Sequence, residues 1–176
     1  MTTRSILVTG PIGGGKSEAC RYLDSLGFPV YESDARTKML YSLVPGLKCS
    51  IEERLDLPWA RIGEVFSDPG KLAALESMVY PYVLEDLRSW KAARQHARLL
   101  FIESAVALDK PQFDGMYDRV LMVSAPFALR AARNPKAAER DALQSFDPAR
   151  IDFTVENDGT IEELHFKIRQ LICKLI

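Results

Sequence analysis

Residues 10–17 read GPIGGGKS, complete for the pattern G-x-x-x-x-G-K-[ST], and they lie between an apolar run, SILVTG, and an amphipathic stretch, SEACRYLDSLG. This segment constrains the chain more than any other, because the pattern has physical meaning only as a loop joining a strand to a helix. Gly10, Gly13, Gly14 and Gly15 let the backbone fold into a tight nest whose N–H groups converge on phosphate oxygens. The positive end of the following helix adds to the same field. In such a loop Lys16 reaches the β and γ phosphates and the Ser17 hydroxyl is placed on Mg²⁺. The expected ligands are therefore a nucleoside triphosphate and Mg²⁺.

A chain of 176 residues is long enough for one domain with a full core and short for two. A formal net charge of −1 supplies no basic field for nucleic acid, so substrate phosphates have to be met locally. The cysteines, Cys20, Cys49 and Cys173, are odd in number and form no C-x-x-C, which argues against a disulfide framework or a zinc site. A reducing cytoplasmic setting is expected. No apolar run approaches the roughly 18 residues of a membrane span, and MTTRSILVTG reads straight into a strand, leaving no room for a signal peptide. Neither a membrane nor a nucleic-acid partner is expected, and the chain is expected to be a monomer or weak homo-oligomer.

Ile6 to Thr9 are apolar in succession, as suits a parallel strand covered on both faces. Ala19, Leu23 and Leu26 recur at helical spacing until Gly27, and FPVY at 28–31 makes a second strand. The next helix has Ser33 or Asp34 available as N-cap, with Met39, Leu40 and Leu43 available to pack. Prolines at 45, 58 and 69 break the stretch from Val44 to Gly70 into short pieces. Residues 71–97 read as helix, with Leu72, Leu75 and Met78 before Pro81 and Leu84, Leu87 and Trp90 after it. Pro81 is expected to split or kink this segment. Strands follow at 99–103, 119–125 and 152–156. Between the last two, Pro135 divides an Ala- and Arg-rich run into two short helices. Thr160 and Glu163 form a capping box for a final helix burying Ile161, Leu164, Ile168, Leu171 and Leu175. Alternating strands and helices predict an α/β fold of three layers, a parallel sheet of about five strands with helices on both faces. It would form one domain over 1–176, with a helical acceptor-binding part around 45–97 and a short lid around 127–147.

The loop alone leaves GTPase, motor ATPase and small-molecule kinase open. An N-K-x-D stretch, the usual mark of guanine specificity, is absent, and the apolar strand LLFI ends in Glu103 where many ATPases carry Asp. A kinase fits better. Ligands of open parallel sheets gather at the carboxyl ends of the strands, so a carboxylate just after the second strand meets the phosphates from the acceptor side. Glu32 and Asp34 stand there.

Taken in order, TGPIGGGKS, GFPVYESDARTK, LESMVYPYV, FIESAVALD, RVLMVSAP, the pair Arg140 and Gln144, and DFTVENDG resemble the motifs of the dephospho-CoA kinases over most of the chain. The resemblance implies transfer of the ATP γ-phosphoryl group to the ribose 3′-hydroxyl of dephospho-CoA, giving CoA and ADP. In that reading Asp34 is the base and Lys16 stabilises the transferring group. Arg133 and Asn157 join the phosphate loop in holding the nucleotide, while Thr9, Glu32, Lys38, Tyr80, Asp109 and Arg140 line the acceptor side. A P-loop kinase for a nucleoside or other small metabolite, or a nucleotide-binding paralogue without turnover, would share the loop.

The pattern is altered at Tyr80 (histidine in the family), Lys38 (arginine), Glu32 (aspartate) and Asp109 (glutamate). The Val44–Pro58 region is short. So is the lid, where Arg130 and Arg133 survive and an Arg-Asp pair ahead of a longer helix is either missing or displaced to Arg140-Asp141. His96 and His165 lie far apart with no ligand set at metal spacing, Trp59 and Trp90 read as packing residues, and RSWKAARQHAR reads as a solvated basic helix face.

Overall fold

The structure is a computed structural model that describes residues 3–138 and 146–176. Strand β1 (Arg4–Thr9) leads through the glycine loop into α1 (Lys16–Ser25), then β2 (Val30–Glu32), α2 (Ser33–Leu43) and α3 (Leu47–Leu55). A 3₁₀ segment (Trp59–Ser67) precedes the long α4 (Pro69–Ala92). The chain continues through β3 (Leu99–Glu103), β4 (Arg119–Ser124), α5 (Phe127–Arg133), β5 (Phe153–Glu156) and α6 (Ile161–Leu175). Two compact units result: residues 1–32 with 91–176, and residues 33–90.

The first unit holds the sheet, in order β2-β3-β1-β4-β5 with every pairing parallel, which is the predicted α/β architecture. Consecutive Ile6, Leu7 and Val8 on β1 are each at most 1% exposed, so side chains on both faces of the central strand are covered, the reason its sequence does not alternate. On one face Ile6, Val8, Phe101, Leu121, Val123 and Val155 pack with Ala19, Cys20 and Leu23 of α1 and Leu164, Ile168, Leu171, Ile172 and Leu175 of α6. Burying a side chain such as Leu23 contributes about 1.5–3 kcal/mol. Truncating it to alanine would cost about 2–5 kcal/mol once the cavity is counted.

Helix α1 is closed at its C-terminus by Gly27, whose N–H donates to the Asp24 carbonyl while Phe28 N–H reaches Leu23, and this double bond turns the chain into β2. Leu26, expected on the buried face, is 41% exposed; Cys20 takes the place. In α6 the capping box is present in both directions, Glu163 N–H to Thr160 Oγ1 at 3.2 Å and Thr160 N–H to Glu163 Oε2 at 2.8 Å. Ile161, expected to be buried, is exposed in the first turn of α6, and Ile172 completes the apolar face instead.

In the second unit α4 runs unbroken through Pro81. Its buried stripe is Leu75, Val79, Val83, Leu87 and Trp90, with the exposed Pro81 on the opposite side. The carbonyl that the missing proline N–H would have engaged belongs to Ser77, also exposed, so water can pair it and the helix survives. Leu72, Met78 and Leu84, expected to pack, are only half-buried. On α2 only Leu40 of the three expected apolar residues is buried; Met39 and Leu43 face outward. The proline-broken stretch resolves into α3 and the 3₁₀ segment. There the half-buried Trp59 meets Tyr41 edge-to-face at 4.8 Å with Lys48 Nζ over its ring, a packing role. Arg36 holds α2 to α4 through a two-pronged ion pair with Asp86.

Candidate active site

The loop leaves β1 at the carboxyl edge of the sheet, and its shape is fixed by close approach on two sides. A Cβ on Gly10 would lie 2.1 Å from the Val123 carbonyl oxygen at the end of β4. Gly15 has φ +103°, and a Cβ there would lie 2.2 Å from Asn157 Nδ2. Only glycine meets both demands at these positions. Lys16 begins α1, and its ammonium donates to the carbonyls of Gly10 at 2.7 Å and Pro11 at 3.1 Å, spanning the mouth of the loop. Ser17 Oγ donates to Glu103 Oε1 at 2.7 Å.

Glu103 closes β3 opposite Val8 of β1 and Glu32 of β2, so the parallel register sets two carboxylates side by side at the sheet's carboxyl edge. The Cys20 thiol lies in their field: burial raises its pKa most, Glu103 and Glu32 raise it further, and Lys16 opposes them. The thiol is therefore protonated and unreactive at neutral pH. In the sequence Glu103 stands out only as the residue found where many ATPase strands end in Asp. An acid closing a buried apolar strand was the signal that could have found it.

The oxygens of Ser17 and Glu103 are hard donors beside the phosphate loop, a set that suits magnesium, which takes one or two protein oxygens and fills its shell from water and phosphate. Among the described residues no group of three or more His, Cys, Asp or Glu gathers to hold a metal by itself.

From the other side, Arg130, buried to 8% exposure in α5, donates from Nε to Ala125 O at 3.0 Å and from Nη1 toward Ile12 O at 3.5 Å. Arg133 Nη1 reaches Gly13 O at 3.2 Å, and Asn157 Nδ2, buried after β5, donates to Gly14 O at 3.1 Å. Thr9, at the end of β1, is fully buried, and its hydroxyl has no hydrogen-bond partner among the described residues. Asp109 is exposed in the turn after β3; partial burial raises its carboxyl pKa against the opposing pull of Arg150 and Lys110. Arg150 pins this turn by donating to Leu108 O, Asp114 and the Tyr117 hydroxyl. Arg140, Asp141 and Gln144 lie outside the described residues.

In the second unit Asp34 stands exposed in the first turn of α2, with Lys38 exposed one turn later. The helix already includes Ser33, whose buried hydroxyl has no partner among the described residues, so Ser33 does not cap it. Tyr80 is half-buried; burial first, and a hydrogen bond with Glu76 second, push its phenol far above the ordinary range, and it stays a neutral donor. Away from these residues, His165 stacks on Tyr22 with ring centroids 3.9 Å apart and lies 3.0 Å from Glu18, while His96 is exposed. Lys91, expected on a solvated basic face, is instead partly buried and bonded to Ser5 Oγ and Met116 O.

A glycine loop at the carboxyl end of the central strand, a lysine and serine opening the next helix, and a parallel sheet of order 2-3-1-4-5 define the class: a P-loop kinase fold. No protein-family model matches the chain. The dephospho-CoA kinase of Chlorobaculum tepidum is 31% identical over 195 residues, covering 96% of this chain and 93% of that protein. That of Thermus thermophilus is 31% identical over 188 residues, covering 96% and 90%. A solved Thermus thermophilus protein superposes with a TM-score of 0.79 at 29% identity, each chain covered in full. The shikimate kinase of Acinetobacter baumannii, at 20% identity and a TM-score of 0.55 over 98% of this chain and 94% of that one, shares the fold. The chain belongs to the dephospho-CoA kinase family.

Proposed function

We propose that the chain transfers the γ-phosphoryl group of ATP to the ribose 3′-hydroxyl of dephospho-CoA, releasing CoA and ADP. The observation that carries this reading is a fully built phosphate loop in a chain that aligns along 96% of its length with dephospho-CoA kinases. The loop amides and the start of α1 hold the β and γ phosphates, and Lys16 exchanges its two carbonyl partners for phosphate oxygens that better match its charge. Ser17 and Glu103 would hold Mg²⁺, which would offset negative charge on the phosphates. The helical part around residues 45–97 binds the acceptor in this reading, and a short lid around 127–147 covers the phosphates.

Asp34 accepts the proton of the attacking hydroxyl, leaving the oxygen free to bond to phosphorus as the bond to the ADP oxygen breaks. Glu32, Lys38, Thr9, Asp109 and the neutral phenol of Tyr80 contribute to the acceptor side, as does Arg140. Positioning and charge stabilisation carry most of such a reaction. Among the described residues no helix is long and apolar enough to cross a membrane. Three free thiols, Cys20, Cys49 and Cys173, accord with a reducing, cytoplasmic setting.

The test is ADP release from Mg-ATP with dephospho-CoA, with a panel of nucleosides and small metabolites, and with no acceptor. Release dependent on dephospho-CoA supports the assignment. Release dependent on another acceptor reassigns the substrate, and ATP binding without turnover identifies a non-catalytic paralogue.

A further inference from the structure

Three consecutive carbonyls of the phosphate loop are gripped from outside by side chains distant in sequence. Ile12 O faces Arg130 Nη1, Gly13 O accepts from Arg133 Nη1, and Gly14 O accepts from Asn157 Nδ2. Every peptide bond among the described residues is trans. In a trans peptide the C=O of one residue and the N–H of the next point in opposite directions. A donor that holds the carbonyl of residue 12 or 14 outward therefore turns the N–H of residue 13 or 15 inward, toward the concave side that takes phosphate. The intervening Gly14 N–H closes the loop onto Pro11 O at 3.1 Å.

The grips are built into the core. Asn157 is 8% exposed and is fixed by its own N–H to Ser124 O at 2.7 Å, at the end of β4. Arg130 is 8% exposed, is anchored on Ala125 O, and sets its backbone against Gly13, where an added Cβ would lie 2.9 Å from its carbonyl oxygen. Neither donor has to move when a nucleotide arrives.

We propose that Asn157 and Arg130 are positioning residues for nucleotide binding. They pre-orient the loop amides toward the phosphates by holding the opposite ends of the same peptide groups, and Asn157 does not read the adenine base. The proposal rests on the loop being the triphosphate site and refines how that site works. It distinguishes two roles for Asn157 that activity alone cannot separate: a contact to the base, or a brace on the loop.

The experiment measures binding of Mg-ATP, Mg-GTP and magnesium tripolyphosphate, which has no base, by calorimetry on the full chain, alongside thermal melting. The variants are Asn157→Leu, which keeps volume and removes the donor, and Arg130→Met, which keeps the stem and removes the guanidinium. Each is expected to weaken tripolyphosphate and ATP by the same factor, about tenfold, the scale of one well-placed hydrogen bond, and to leave the ATP-to-GTP ratio unchanged. Loss of ATP preference in Asn157→Leu with tripolyphosphate affinity intact overturns the proposal and makes Asn157 a base contact. Unchanged affinity for all three ligands in both variants also overturns it. If one variant fails to fold, the other carries the same comparison. Wild-type protein that binds neither ATP nor tripolyphosphate sinks the phosphate-site reading itself, an outcome distinct from a failure of the brace.

Discussion

Gly15→Ala tests the loop geometry most directly, because one methyl group meets two independent obstacles. At φ +103° an L-residue is strained by about 1–3 kcal/mol. The new Cβ would also stand 2.2 Å from Asn157 Nδ2 and 3.3 Å from its Cγ, so the asparagine has to swing away. That motion gives up its bond to Gly14 O, about 1 kcal/mol, and disturbs a packed site at about 1–3 kcal/mol. The lower ends of these ranges together amount to about 3 kcal/mol. If the loop alone distorts, ATP affinity falls on the order of 10²-fold. If the loop holds, the cost appears as a lower melting temperature, about 2–4 °C per kcal/mol for a chain of this size.

Calorimetric titration with ATP and a melting scan read both channels. Adding Asn157→Ala to Gly15→Ala removes the collision and keeps the backbone strain, so the double variant should melt higher than the two single effects predict by addition. Wild-type affinity together with wild-type melting in Gly15→Ala, or strict additivity in the double variant, would refute the steric argument.

Asp34→Asn should leave melting and ATP binding nearly unchanged while turnover with dephospho-CoA falls by about 10²-fold or more, the usual scale of general-base assistance; full turnover would leave Asp34 with a helix-terminal role only. Tyr80→His, restoring the family residue next to Pro81, is expected to raise turnover or lower the KM for dephospho-CoA, and a slower variant with no gain in affinity would mark Tyr80 as part of a different acceptor pocket. Lys91 has its pKa lowered by burial, with Asp118 opposing, so the folded state binds fewer protons there than the unfolded chain and stability should rise with pH toward the ordinary lysine value of 10.5. Denaturant midpoints followed upward from about pH 9 should show that slope in the wild type and a flatter one in Lys91→Gln; parallel slopes would exclude Lys91 as its source.

What the sequence determined by itself is what local chemistry dictates. The phosphate loop was legible because one contiguous segment carries its glycines, lysine and serine, and the backbone they permit barely depends on distant residues. The parallel sheet could be read from unbroken apolar runs, and the start of α6 from a capping box that closes on itself across a single turn. Helix faces were legible only in part. Periodicity locates a stripe, but whether Ile161 or Ile172, Leu26 or Cys20 is covered depends on what the fold packs against that turn of the helix. The fate of Pro81 was likewise decided by burial, since a proline on the wet side of a well-packed helix leaves its orphaned carbonyl to water.

Tertiary structure alone brought the remaining groups to the loop. Glu103 is 86 residues from the Ser17 it bonds, Arg130 is 118 from Ile12, and Asn157 is 143 from Gly14. Two of these meetings depend on parallel register, β3 against β1 for the acid and β5 against β4 for the asparagine, while Arg130 is carried in by α5. Register is fixed by the simultaneous burial of both sheet faces, a condition on the whole folded unit that no single segment of the chain contains.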